Sequence, residues 1–258
     1  MKTKIEDATA FAELRGRAEK GEADAQYYLG WMYDTGLGMA EDAVEAVKWY
    51  RKAADQGNAF AQYNLGVSYD NGQGVAKDEG EAVKWYRKAA DQGFAKAQFN
   101  LGNMYDNGLG VAKDEVEAVK WFRKAADQGV APAQYNLGNM YANGLGVAKD
   151  EVKAVKWYRK AADQGNAKAQ YNLGGMYENG QGVAKDEAVK WFRKAADQGD
   201  AKAQNWLGAM YLYGRGVAKD EVEALKWYRK AADQGYADAQ FNLGVMYANG
   251  LGVAKDEV

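Results

Sequence analysis

"YNLGNMYANGLGVAKDEV" runs from Tyr135 to Val152, and nearly the same letters stand at 99–116 (FNLGNMYDNGLGVAKDEV) and at 241–258 (FNLGVMYANGLGVAKDEV). A motif that serves one active site occurs once, whereas this one recurs along the chain, the mark of a repeat architecture. The Leu-Gly pair inside it supplies a ruler: Leu29, Leu65, Leu101, Leu137, Leu173, Leu207 and Leu243. Successive marks lie 36 residues apart, except for 34 between Leu173 and Leu207, where AKDEVEAVKW (112–121) is shortened to AKDEAVKW (184–191). A period on this scale belongs to helical-hairpin repeats.

Each unit reads as two helices. In the first, over 95–107, Ala97, Leu101, Met104 and Tyr105 form the apolar stripe of an amphipathic helix. Gly108 then supplies the positive φ that ends it. The second opens at Asp114 with Glu117 three residues on, a capping box that Asp78 with Glu81 and Asp220 with Glu223 repeat. Its apolar face is Ala118, Trp121, Phe122 and Ala125, Arg123 and Lys124 complement the dipole of its last turn, and Gly129 closes it. Helices of about 13 residues bury too little surface to stand alone. The expected fold is therefore all-α: antiparallel helix pairs stacked into an α-solenoid with a concave inner face. Residues 1–20 read as a polar capping helix, followed by units at 21–56, 57–92, 93–128, 129–164, 165–198, 199–234 and a partial 235–258. In the shortened unit Asp186 lies five residues before Trp191, whereas Asp78 lies seven before Trp85. A shorter second helix and a tightened loop at 180–188 are expected there. Because the last unit stops at AKDEV, Leu243, Met246 and Tyr247 should lack a covering helix, leaving an apolar edge and a route to self-association.

Composition narrows the function. Of 258 residues, 34 are basic and 36 acidic, and the net charge of −2 favours neither nucleic acid nor an anionic membrane. Nowhere do about 18 apolar residues run together, as a bilayer span requires. The opening segment carries Glu6, Asp7 and Glu13 in place of a secretory apolar stretch, so a cytoplasmic location is expected. There is no His and no Cys, Ser68 is the only serine, and the threonines are Thr3, Thr9 and Thr35. Nucleophile-base pairs of the usual kinds cannot be assembled from this inventory, and neither cofactor nor metal is implied. Asp55, Asp91, Asp127, Asp163, Asp197 and Asp233 recur at helix ends and read as solubilising turn residues. NGLGVAK (107–113) resembles a phosphate loop only superficially, since its first Gly ends a helix and no strand precedes it. The stripe Trp49, Trp85, Trp121, Trp157, Trp191 and Trp227 reads as core. The final KDEV also stands at 113–116, 149–152 and 219–222, so it is repeat sequence, not a retention signal.

AKAQFNLGNMYDNGLGVAKDEVEAVKWFRKAADQG (95–129) resembles a Sel1-like repeat, a relative of the tetratricopeptide repeat, and the likeness covers essentially the whole chain. It implies a right-handed superhelix and a non-catalytic adaptor that holds a protein or an extended peptide. Two other roles are found in the family: inhibitor or immunity-type proteins, and β-lactam hydrolysis in cysteine-rich relatives whose cysteines this chain lacks. By the same likeness the first helix of each pair lines the concave face. Its non-core positions are Phe60, Asn64, Val67, Asn71, then Lys96, Asn100, Asn103, Asn107, then Pro132, Asn136, Asn139, Asn143, then Lys168, Asn172, Gly175, Asn179. Asn64, Asn100, Asn136, Asn172 and Asn242 thus form a ladder, flanked by Asn103 and Asn139. Amides can pair with a peptide backbone, or they can bond the next helix and order the superhelix. The ladder is interrupted by Tyr28 near Trp31 and by Trp206 near Leu212, Tyr213 and Arg215, which are residue types that anchor interfaces.

Overall fold

Leu101 and Gly102 sit mid-way along helix Ala95–Asn107, and the reason the pair marks every unit is a contact with the next helix. A Cβ on Gly102 would lie 2.6 Å from the ring of Phe122, which is itself fully buried. The bare glycine lets that ring lie against the backbone of the preceding helix. Gly66 with Tyr86 and Gly138 with Tyr158 repeat the approach at the same 2.6 Å.

The computed structural model describes residues 2–181 and 187–253, with side chains from residue 10 onward. Among the described residues are fourteen α-helices, which fall into two units, Met1–Val130 and Ala131–Val258. The first holds α1 (Lys2–Glu19), α2 (Ala23–Thr35), α3 (Ala43–Asp55), α4 (Ala59–Asn71), α5 (Glu79–Asp91), α6 (Ala95–Asn107) and α7 (Glu115–Asp127). The second holds α8 (Ala131–Asn143), α9 (Glu151–Asp163), α10 (Ala167–Asn179), α11 (Ala188–Asp197), α12 (Ala201–Tyr213), α13 (Glu221–Asp233) and α14 (Ala237–Ala248). Within each unit every helix packs on the one that follows it, so each is a solenoid of stacked helix pairs. None of these helices is long and apolar enough to cross a membrane.

Helix ends follow the local chemistry. Gly108 adopts φ 70° and its N–H bonds the Met104 carbonyl, while the Leu109 N–H reaches the same oxygen. The second glycine of the turn is needed for a close approach. A Cβ on Gly110 would run into the Glu79 backbone, so the turn packs against the first residues of α5. Asp114 caps α7 by accepting from the Val116 and Glu117 N–H groups. The expected capping box is only half made. The Asp114 N–H donates to the Tyr105 carbonyl of α6 at 2.9 Å, and the Glu117 carboxylate pairs with Lys120. The box's return bond is replaced by a bond that closes the hairpin.

Shortening acts as the spacing implies. α11 has 10 residues where α9 has 13, and Glu187 at its start makes no side-chain cap. The expected tightening of the loop falls largely on 182–186, outside the described residues. Glu187 instead accepts from the Trp191 indole at 3.3 Å. The matching indole N–H groups of Trp85, Trp121 and Trp227 are buried without a partner among the described residues. Apart from the half-buried Trp49, the tryptophans of the second-helix stripe are core, as expected. A lysine three residues on covers each ring, 3.8 Å from its centroid at Lys88 over Trp85 and 4.3 Å at Lys194 over Trp191.

The edge at α14 is less open than expected. Met246 is fully buried, packed with Ala224, Leu225 and Tyr228 of α13, because the inward stripe of a first helix faces its predecessor as well as its own partner. Leu243 and Tyr247 are half-buried, and the exposed apolar side chains are Phe241 and Val245.

Buried glutamines join successive pairs. The Gln62 amide, 4% exposed, donates to the Ala54 carbonyl of the preceding helix at 3.1 Å and accepts from Gln92 at 2.7 Å. Gln92 spends its other hydrogen on the Gly57 carbonyl at 2.9 Å. Gln98 with Ala90 and Gln128, and Gln170 with Ala162 and Gln198, repeat the relay.

Gly102→Ala should lower stability by about 1–3 kcal/mol in urea unfolding followed by circular dichroism, because the added methyl overpacks a ring with no room to move. At Gly244 of α14 a Cβ meets nothing within 4 Å among the described residues, so Gly244→Ala should instead raise stability by about 0.5–1 kcal/mol.

Candidate partner-binding surface

The row of asparagines proves to be a seam between repeats. Asn64 on α4 stands beside the Tyr50 hydroxyl on α3, and Asn100 on α6 beside the Tyr63 and Tyr86 hydroxyls of the pair before it. In the second unit Asn172 donates to Asn139 Oδ1 at 3.2 Å, and the same oxygen accepts from the Tyr158 hydroxyl at 2.6 Å. Burial pushes that hydroxyl up to about 12, with the Asn172 hydrogen bond opposing it. Asn242 donates to Asn205 Oδ1 at 3.0 Å. Asn103 and Asn136 are half-buried in the same row and hydrogen-bonded or otherwise engaged. The bonded rungs therefore tie one repeat to its predecessor, and each keeps part of its amide at the surface.

Phe122 of α7 also lacks the hydroxyl, but at the junction of α11 and α12 both members of the pair change. Where α3, α5 and α9 place a tyrosine hydroxyl against the next asparagine, α11 offers Phe192 and α12 offers Trp206. The two rings stack at 5.9 Å with an interplanar angle of 8°. On the other side Tyr171 meets Phe192 edge-on at 5.8 Å. Directly after the Leu173–Gly174 mark of α10, Gly175 stands where α6 and α8 carry Asn103 and Asn139, and a Cβ there would meet nothing within 4 Å among the described residues.

The result is a cleft of about 440 Å³ in the second unit. It is lined by Asn139, Asn143, Asn172 and Asn179, by Tyr158, Tyr171, Phe192 and Trp206, and by Lys149, Glu151, Glu178 and Gln181, with Gly175 in its wall. Lys149 and Glu151 pair at 3.0 Å, and Glu178 has Arg215 at 3.6 Å. Burial raises the Glu178 carboxyl above its ordinary range, with the charge of Arg215 opposing. Among the described residues no group of three or more acidic side chains could hold a metal ion.

Of the residues expected at a binding surface, Asn139, Asn172 and Trp206 meet in this cleft. Tyr213 does not line it: it is 64% exposed, with the Arg215 guanidinium 5.3 Å from its ring centre. Arg215 reaches the cleft only through Glu178. Asn64, Asn100, Tyr28 and Trp31 lie in the first unit, where Tyr28 and Trp31 are exposed and Tyr28 packs on Tyr27 at 5.2 Å. Sequence reading missed Phe192, Tyr171 and Glu178. For Phe192 and Glu178 the signal was a one-letter difference from most neighbouring units, Tyr to Phe and Asp or Ala to Glu.

A family model described as the Sel1 repeat matches residues 23–58, 59–94, 95–130, 131–166, 167–200, 201–236 and 237–258. The chain is a Sel1 repeat protein. A protective antigen of uropathogenic Escherichia coli with an SLR fold is 44% identical to it and superposes with a TM-score of 0.89. That match covers 93% of this Sel1 repeat chain and 52% of the antigen, so the chain spans about half the antigen's length. A Sel1 repeat protein from Oxalobacter formigenes is 40% identical, with a TM-score of 0.78, over 95% of this chain and 72% of its own. YrrB, a TPR protein with an unusual peptide-binding site, shares the fold at 22% identity and a TM-score of 0.51, over 75% of this chain and 96% of its own. No curated protein matches the chain.

In the first two Sel1 units the residue corresponding to Glu178 is an aspartate bonded by a tyrosine hydroxyl, Tyr50 to Asp34 at 3.2 Å and Tyr86 to Asp70 at 3.3 Å. Phe192 cannot make this bond. The double change Phe192→Tyr with Glu178→Asp should restore it and raise stability by about 0.5–1.5 kcal/mol in urea unfolding, with neither single change giving the full gain.

Proposed function

We propose that this Sel1 repeat protein is a non-catalytic scaffold that holds an extended polypeptide segment in the cleft of its second unit. The observation that carries the reading is the cleft's lining: four asparagine amides, from α8 and α10, beside a stacked Phe192–Trp206 wall. Amides offer a donor and an acceptor each, which suits the N–H and C=O groups of an extended backbone without demanding a particular sequence. The aromatic wall supplies apolar area where one side chain of the segment can be buried. A volume of about 440 Å³ lies within the range of sites that enclose a ligand group. The two carboxylates in the lining are each held by a cation of the same chain, an arrangement suited to recognition. The inventory of side chains supports the same reading, since no histidine or cysteine exists and the single serine, Ser68, is buried in α4.

Selection from a displayed library of random dodecapeptides tests the proposal. The parent protein should retain a set of peptides, and Gly175→Leu, which fills the cleft from an open backbone position, should lose them by tenfold or more with its helicity unchanged. Peptides retained equally by both would place binding elsewhere. A parent that retains none would remove the scaffold reading.

A further inference from the structure

Near the end of the first helix in the opening pairs stands an aspartate that the structure keeps well bonded. Asp34 accepts twice, from the Tyr50 hydroxyl of its own pair and from Gln73 at 3.2 Å in the turn of the next pair. Glu178 occupies the same position in α10. Its own pair supplies Phe192, which has no hydroxyl, and the next turn supplies Arg215 in the place of Gln73. Asp106 also has a phenylalanine, Phe122, in its pair, but a leucine, Leu145, in the turn position that Arg215 holds for Glu178. The Arg215 guanidinium stops 3.6 Å from the Glu178 carboxylate, beyond hydrogen-bond reach, with its side chain 57% exposed against 18% for Glu178. A partly buried carboxylate ordinarily gathers close hydrogen bonds. Among the described residues Glu178 has instead one distant cation on the outside and a cleft on the inside.

The rest of the cleft carries little net charge, because Lys149 and Glu151 neutralise one another at 3.0 Å. Among the described residues that line the cleft, Glu178 is therefore the charge that a ligand would meet. Trp206 lines the same cleft, and an indole face attracts a guanidinium or ammonium group. Phe192, stacked on Trp206, holds that ring in place.

We infer that the cleft selects a cationic side chain, an arginine or lysine carried by the bound segment, with Glu178 as its counter-charge, Trp206 as its aromatic wall, and Arg215 as the group it displaces. This rests on the scaffold reading above and adds the chemistry of the partner: a basic polypeptide segment in place of a neutral or acidic one. Arg215 acts as a competitor. It holds Glu178 weakly while the cleft is unliganded and swings toward the face of Tyr213, whose ring it already overlies at 5.3 Å, when the incoming cation takes over.

The same dodecapeptide library separates this inference from the reading it rests on. Peptides selected by the parent should be enriched in arginine or lysine over the input library. Glu178→Gln should still select peptides but lose that enrichment, and should bind the parent's basic peptides at least tenfold more weakly by fluorescence anisotropy. Arg215→Ala should bind them three- to tenfold more tightly. A merely structural role for the Arg215–Glu178 pair would weaken binding in both variants, which makes the second variant decisive even if the first is poorly folded. Selected peptides without basic enrichment, or an enrichment indifferent to Glu178→Gln, would overturn the inference and leave the scaffold reading standing. No selected peptides at all would overturn both.

Discussion

A primary amide buried between three helices sets the spacing of this molecule. Gln62 cannot leave its position without stranding the Ala54 carbonyl, which lies out of reach of bulk water, and releasing the Gln92 amide on the other side. An unmade hydrogen bond at a buried site costs about 1–3 kcal/mol. The relay therefore fixes how far each pair stands from its predecessor, and glycines such as Gly66 and Gly102 make close packing within a pair possible by removing the one atom that would hold the helices apart. Hydrophobic burial drives the stacking, but it is tolerant of small slips. The amides are not tolerant, and they give the solenoid its register.

On a framework this regular, function is a matter of exceptions. Where α3, α5 and α9 end a pair, a tyrosine hydroxyl meets an asparagine from the next repeat, so the row of amides is first of all structural. At the junction of α11 and α12 both members change together. Phe192 and Trp206 replace a polar bond with a stacked pair. The loss of that bond leaves Glu178 without its hydroxyl, and the missing side chain at Gly175 leaves space beside it. A cleft with an aromatic wall, an amide floor and one weakly held charge accompanies a few side-chain changes beside the shortened α11.

Much of this was legible in the letters. The Leu-Gly ruler marked the helix pairs, their ends and the shortened α11, because apolar period, positive-φ glycines and acidic caps are local properties. The relay was not legible, since Gln62 and Gln98 stand among polar letters and only burial between three helices distinguishes them from surface residues. Trp206 drew notice by being large and out of place. Glu178 and Phe192 did not, because each differs from its usual counterpart by a methylene or a hydroxyl, and the significance of either depends on the other sitting across the helix interface. The covering of Met246 by α13 was missed for a similar reason: a stripe read along one helix does not say that it is shared between two neighbours.

The seam between α11 and α12 has a consequence for how such chains diversify. Tandem repeats are copied and lost as whole units, yet the cleft does not belong to a unit. Phe192 and Glu178 lie in the stretch 167–200, and Trp206 and Arg215 in 201–236. A copy of either stretch alone would set a phenylalanine against an asparagine or a tryptophan against a tyrosine at its new border, so the copy would not carry a second cleft of this kind though every repeat in it was intact. The unit that carries the cleft is the border between two repeats, offset by half a period from the repeats themselves.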